Sequence, residues 1–294
     1  MLQTRTIGDI KVSRVLEYSG PTHDPAFLFP DLTPEKLEAH AAWLAPDHYI
    51  ARMNRLIVTI QLWIVQARGE VIIVDTGVGN HKNRAAARMN QLNSLVPAWL
   101  EAAGASPDAV TRVVHTHLHS DHVGWNTVLK DGKWAPAFPK ARYYIPQLDY
   151  DHYVAALSLA ADPIIDNAFS DSVMPIIEAG AADFIRPGDR IAGLLEVEEA
   201  PGHSVGMVNF RIRSNGEQGL FTGDVMHSPI QIAEPWLNTR YCALPEVARR
   251  TRAALLARES ESGALIMPMH FGAPYCGYIR REGDGYAFDG AAWT

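Results

Sequence analysis

Apolar and polar positions along the chain follow two periods. Residues 61–79, QLWIVQARGEVIIVDTGVG, carry two apolar runs separated by Arg68-Gly69 and predict two strands joined by a tight turn, ending at Asp75-Thr76-Gly77. The next stretch, KNRAAARMNQLNSLVPAWLEAAG, has apolar residues at helical spacing and predicts a helix or a broken pair, interrupted by Pro97 and closed by Gly104. A strand, AVTRVV at 109–114, follows. KWAPAFPKARYYIP reads as extended chain, whereas QLDYDHYVAALSLA and NAFSDSVMPIIEAG read as two helices. From Asp183 to Asp224 apolar runs are cut by PGD, PGHS and SNGEQG turns, which predicts a series of strands. LPEVARRTRAALLARES returns to the helical period with Pro245 in its first turn, and ALIMPMHF is one more buried strand.

Near the N-terminus, PEKLEAHAAWLAPDHYIARMN reads as an extra amphipathic helix bearing Trp43. Core packing is its plain role; covering a pocket or forming a homodimer contact are the alternatives. The order of elements is strands, helices, strands, helix, strand, with no linker rich in Gly, Ser or Pro. A single α/β domain with antiparallel-rich sheets is expected over 1–294, with 1–58 as an N-terminal extension packed on it.

Composition narrows the function. The 294 residues are 47% apolar, enough for a packed core, and the net charge of −7 comes without a Lys/Arg run. Nucleic acid and anionic membranes are therefore poor partners, and a small neutral or polarisable substrate fits better. The start lacks a basic segment followed by an apolar one, and no apolar run is long enough to span a bilayer, so a soluble cytoplasmic protein is expected. Cys242 and Cys276 are too few for a disulfide framework and read as reduced thiols.

The chemistry concentrates behind the strand at 109–114. There His117, His119, Asp121 and His122 stand in the spacing HxHxDH. In extended chain, residues two apart point the same way, so His117 and His119 can aim at one metal, while Asp121 and His122, in the following turn, reach a second point. Gathering these groups at a strand end costs roughly 1–3 kcal/mol each unless they are paired or ligating. The scattered His23, His40, His48, His81 and His152 read instead as ordinary surface or core residues. Further ligands come from PGHSVG with His203, FTGDVMH with Asp224 and MPMHFG with His270, each at a strand end or tight turn. Ser204 directly follows His203 and lacks the spacing of a nucleophile elbow.

These ordered motifs resemble the metallo-β-lactamase superfamily over about residues 60 to 275. The resemblance implies a four-layer αββα sandwich with a dinuclear site at one edge. It assigns His117, His119 and His203 to one metal, Asp121, His122 and His270 to the other, and Asp224 to both. The cofactors it implies are two divalent ions, zinc first, with manganese or iron(II) as alternatives. Two such ions hold a bridging hydroxide near neutral pH and polarise a carbonyl or phosphoryl oxygen, which makes hydrolysis the expected reaction. Asp121 and His227 are the catalytic candidates.

Within the family, a cysteine at the place of Asp224 would suggest antibiotic hydrolysis, and a Glu at that of His119 a redox enzyme; neither is present. The family's acyl-homoserine lactonases carry a tyrosine three residues after the bridging aspartate, where this chain has His227. The resemblance is therefore to the branch typified by methyl parathion hydrolase, with His227 placed to donate to an oxyanion or leaving group, or else to serve a structural part. Asp75 is expected to orient a neighbouring loop or histidine, and His115 to support a ligand carboxylate. Trp125, Trp236, Phe271 and Tyr275 are expected to wall an apolar pocket. The expected substrate is a small hydrophobic ester, lactone or phosphotriester. A glyoxalase-like thioesterase and a non-hydrolytic iron-binding redox or metal-binding protein on the same fold are the alternatives.

Overall fold

In the computed structural model, which describes residues 2–158 and 167–293, Arg68 and Gly69 both take positive φ, 53° and 78°. That is the geometry of a two-residue turn matched to strand twist, and it joins Arg55–Ala67 to Glu70–Val74 with Ala67 opposite Glu70. These strands are the centre of the first sheet. Its spatial order is Leu2–Ile7, Ile10–His23, Arg55–Ala67, Glu70–Val74, Arg112–Val114, Arg142–Pro146 and Ala182–Ile185, with Tyr49–Ile50 pairing beside Arg55–Ala67. The last four strands of that path run parallel. The second sheet follows chain order from Arg190–Ile191 to Gly285–Gly290 and is antiparallel except where Glu217–Phe221 meets Leu265–Met267.

The two sheets pack face to face. Trp63, Val65, Ile72, Val74 and Val114 of the first meet Phe210, Ile212, Phe221 and Met267 of the second in one buried cluster. On the outer face of the first sheet, Leu62, Ile64 and Val113 bury Val96, Leu100 and Ile176 of the helices Val96–Ala102 and Met174–Glu178. On the outer face of the second, Leu220 and Ile266 bury Leu255 and Leu256 of the helix Pro245–Ser262. The architecture is thus helix, sheet, sheet, helix, the four-layer αββα sandwich expected from the sequence.

One expectation changes, and two further segments take definite form. Residues 82–95 are turns and irregular chain, and Pro97 starts the helix Val96–Ala102 in its first turn instead of interrupting a longer one. The C-terminal CGYIRREGDGYAFDG forms the hairpin Gly277–Glu282 and Gly285–Gly290, which the sequence reading left unassigned. Residues 2–23 are two integral strands of the first sheet. Helical residues Gln147–Ser158 and the segment Phe169–Glu178 are as expected, while residues 159 and 160 of the predicted first helix lie outside the described residues. No helix of the described residues is long and apolar enough to cross a membrane.

Candidate metal centre

The strand Arg112–Val114 ends at the edge of the sheet, and the chain from His115 to His122 turns across it. Asp75, at the end of the neighbouring strand with φ 53°, shapes that turn. Its Oδ1 accepts from the Thr116 amide at 2.8 Å, and its Oδ2 accepts from Thr116 Oγ1 at 2.6 Å and from His122 Nδ1 at 2.8 Å. The buried Asp149 does the same from the far side, accepting from the Leu118 amide, Ser204 Oγ and the Gly206 amide. Ser204 is therefore a strut between the HxH turn and the PGHS turn. Gly124 is required by close approach: a Cβ there would sit 1.8 Å from Val78 O.

The expected ligands converge. The donor atoms of His117, His119, His203 and Asp224 lie within 4.8 Å of one another, as do those of Asp121, His122 and His270. Asp224 faces both groups: Oδ2 is 3.1 Å from His203 Nε2 and 3.7 Å from His117 Nε2, while Oδ1 is 3.3 Å from His122 Nε2 and 3.0 Å from His270 Nε2. His227 Nε2 stands 3.2 Å from Asp224 Oδ2, and its ring stacks on His270 with centroids 4.7 Å apart. Asp224, His227 and His270 form a third such group.

Hydrogen bonding fixes which nitrogens carry lone pairs. Thr59 O can only accept, so His270 Nδ1, 2.7 Å away, is protonated, and the neutral ring turns the lone pair of Nε2 toward Asp224. The bond from His122 Nδ1 to Asp75 does the same for His122. Lone pairs and carboxylate oxygens then face one another in a buried space, and among the described residues His117 Nε2, His122 Nε2 and Asp224 Oδ1 have no hydrogen-bond partner. Such a set is stable only around positive charge. In its absence protons are the sole relief. Burial works against charge on His122, yet Asp224, Asp75 and Asp121 hold its pKa well above the ordinary imidazole value, and Asp224 likewise lifts His270 against burial. Burial lowers His117 well below that value, His119 to about 3 and His203 to about 4. Burial would raise Asp224, but His122 and His270 hold it well below the ordinary carboxylate value. The donor set of imidazoles and carboxylates fits borderline divalent ions such as zinc.

The cluster forms the floor of a cavity of about 370 Å³. His119, Asp121, His203, Asp224, His227 and His270 line it, and Phe27, Val58, Ile60 and Met89 supply apolar wall. None of the four aromatic residues expected as pocket walls lines it. Trp125 is turned into the core, where its Nε1 donates to Glu17 Oε1 at 2.7 Å. Trp236 donates to Glu234 Oε2 and lies under Lys36. Phe271 follows His270 in the chain, points the other way and packs edge-on against Phe288. Tyr275 is covered by the Arg14 guanidinium 3.5 Å from its ring centroid. His115 lies 3.9 Å from Asp75 Oδ1, too far for a hydrogen bond, and burial lowers it to about 4.

His23, read from sequence as an ordinary histidine, lines the cavity, as do Tyr18, Arg88 and Tyr241. Register shifts in the strand Ile10–His23, between Leu16 and Tyr18 and between Pro21 and His23, account for part of this. A bulge re-aims side chains, and the first sends Glu17 under the site, where it accepts from the Val78 and Gly79 amides and Trp125. The second precedes His23. Alternation in the sequence carries no mark of either.

Comparison with known proteins agrees with this geometry. No curated protein matches in sequence. Among solved structures, hydrolase AbOPH of the beta lactamase superfamily is 22% identical, covering 100% of this chain and 98% of that one, with a TM-score of 0.81. AidC, described as a dizinc quorum-quenching lactonase and solved with a product, is 20% identical over 100% and 98% of the two chains, also at 0.81. A probable metal-dependent hydrolase from Staphylococcus aureus is 17% identical over 98% and 100%, at 0.73. At these identities the likeness is one of fold. The model of the metallo-beta-lactamase superfamily matches residues 59–270, from the strand that anchors His270 through Thr59 to His270 itself. Because that match spans well over half of the sequence and encloses every residue gathered around Asp224, the chain belongs to the metallo-beta-lactamase superfamily.

Proposed function

We propose that this chain is a dinuclear metal-dependent hydrolase of a small ester, lactone or phosphotriester. The observation that carries the reading is Asp224, whose carboxylate lies within reach of both groups of histidines, Oδ2 of His117, His203 and His270 and Oδ1 of His122 and His270, on the floor of a partly apolar cavity. His117, His119 and His203 would hold one ion, Asp121, His122 and His270 the other, and Asp224 both. When bound, two such ions supply Lewis acidity toward a carbonyl or phosphoryl oxygen and acidify water to near neutrality.

The protein's own part is orientation and exclusion of water. Asp75 and the Thr59 carbonyl fix two rings from behind, so that little reorganisation is left for the reaction. Phe27, Val58, Ile60 and Met89 offer an acyl or alkyl group a dry wall. His227, at 3.2 Å from Asp224, stands where it can donate to charge developing on the substrate. The lactonases and hydrolases of the same fold support this class of reaction.

The test is a panel of aryl esters, lactones, phosphotriesters and thioesters, assayed with zinc, manganese and iron(II) beside elemental analysis. Stoichiometric metal, turnover on an oxygen ester, lactone or phosphotriester, and loss of both in His119→Ala are expected. Activity confined to thioesters would favour a glyoxalase-like enzyme, and metal bound without any turnover would sink the hydrolase reading.

A further inference from the structure

Arg88 is half-buried on the wall of the cavity that the metal cluster floors. Its Nη2 lies 3.0 Å from His23 Nε2. A guanidinium only donates, so that nitrogen is an acceptor, and the proton of the neutral ring sits on Nδ1, which donates to Thr22 Oγ1 at 2.7 Å. The hydroxyl of Tyr241, 3.3 Å from the same Nε2, competes for the same lone pair. His23 thus aims Arg88 without neutralising it, and burial, aided by the Arg88 charge, lowers the ring to about 3.

Nothing else among the described residues neutralises Arg88. Among the described residues it forms no ion pair, and its Nε and Nη1 make no hydrogen bond, although the chain is acidic, with 33 Asp and Glu against 26 Lys and Arg. Among the described residues, the cavity's only carboxylates, Asp121 and Asp224, belong to the metal cluster. Arg240 lies over the ring of Phe27, another wall residue, at 4.0 Å and likewise has no carboxylate partner among the described residues. A partly desolvated cation with a free planar donor edge is best satisfied by a planar oxyanion, and a second cation over a residue of the same cavity wall raises the local concentration of anions.

We propose that Arg88 is a specificity-determining residue that binds a carboxylate on the part of the substrate remote from the bond being hydrolysed, so that the preferred substrates are esters or lactones with an anionic tail. The inference rests on the hydrolase reading for its chemistry, but binding tests it separately.

The first measurement is calorimetric titration of the metal-loaded protein with the dicarboxylates succinate to suberate and with monocarboxylates of equal length. At one of these lengths the dicarboxylate binds about tenfold more tightly or better, Arg88→Gln abolishes the advantage, and Arg88→Lys retains part of it. The second compares kcat/KM for 4-nitrophenyl hydrogen esters of the same diacids with neutral 4-nitrophenyl esters of equal length, and the anionic-to-neutral ratio falls about tenfold in Arg88→Gln. Raising the salt concentration lowers that ratio in the parent and not in Arg88→Gln. Equal binding of both series at every length overturns the proposal whether or not the protein turns over, as does an Arg88→Gln loss shared by both members of each pair. A binding preference that depends on Arg88 without turnover of any ester upholds the anion site and overturns the hydrolase reading.

Discussion

His227 shares the Asp224 carboxylate with His117, His203, His122 and His270, yet those four with His119 and Asp121 already divide into two groups around it. That leaves His227 as an imidazole on the cavity wall, next to where the reacting bond would lie and stacked on His270. If it donates to charge that develops in the transition state, His227→Ala lowers kcat by roughly 10²–10³-fold, with KM and metal content little changed. Steady-state kinetics on the best substrate, with metal analysis of the same sample, decide the matter. Parental kcat removes the catalytic role, and lost metal makes His227 a support for the ligands. The ligand residues were legible because four of them lie within six positions, His203 and Asp224 follow a glycine, and His270 lies between Pro268 and Gly272, just beyond a strand end. Arg88, His23 and Tyr241 were not, because each is a lone residue of an ordinary kind. What brings His23 to the cavity is a register shift that no local pattern announces.

At the scale of elements, the segment 82–95 shows the periodic signal overruled. Its apolar spacing predicts a helix, but Lys82 and Arg84 are fully buried and drawn across to Asp171. Arg84 grips Asp171 through two nitrogens, at 2.7 and 3.0 Å, while Lys82 donates to Thr127 Oγ1 and the Asp171 carbonyl beneath the Trp134 ring. Asn80 and Asn90 side chains accept from the Ser94 and Arg84 amides, satisfying the backbone without helical bonds. The result is a loop that carries Arg88 and Met89 to the cavity wall. Burial lowers Lys82 to about 7 despite Asp171, so the carboxylate is what allows two cations to stay inside. Asp171→Ala leaves both uncompensated and costs roughly 3–5 kcal/mol by urea denaturation. A loss below about 1 kcal/mol would show that water reaches the two cations without the carboxylate. The hairpin turning at Arg68-Gly69 and the long helix were legible because a tight turn and a proline in the first helical turn are local; this loop was not, because its partner is some ninety residues away.

For the whole molecule, the two sheets serve to bring residues from distant parts of the chain to one edge. His117 to His122 leave one sheet, whereas His203, Asp224 and His270 leave the other, so the cluster spans the interface between the halves. A cation held there binds the folded chain and finds no comparable site in the unfolded one, since the two halves are then apart. The stabilisation is RT ln(1 + [L]/Kd), about 2.7 kcal/mol for each site at a free ion concentration one hundred times Kd. Two sites therefore raise the midpoint of thermal unfolding by several degrees in a chain of this size. Scanning calorimetry of zinc-loaded protein against the same protein dialysed with a chelator measures this directly. The increase depends on zinc concentration and shrinks in Asp224→Asn, which weakens the one residue facing both groups. A midpoint indifferent to zinc and chelator would mean that protons alone hold the histidines and carboxylates together, and it would remove the ground on which the proposed reaction stands.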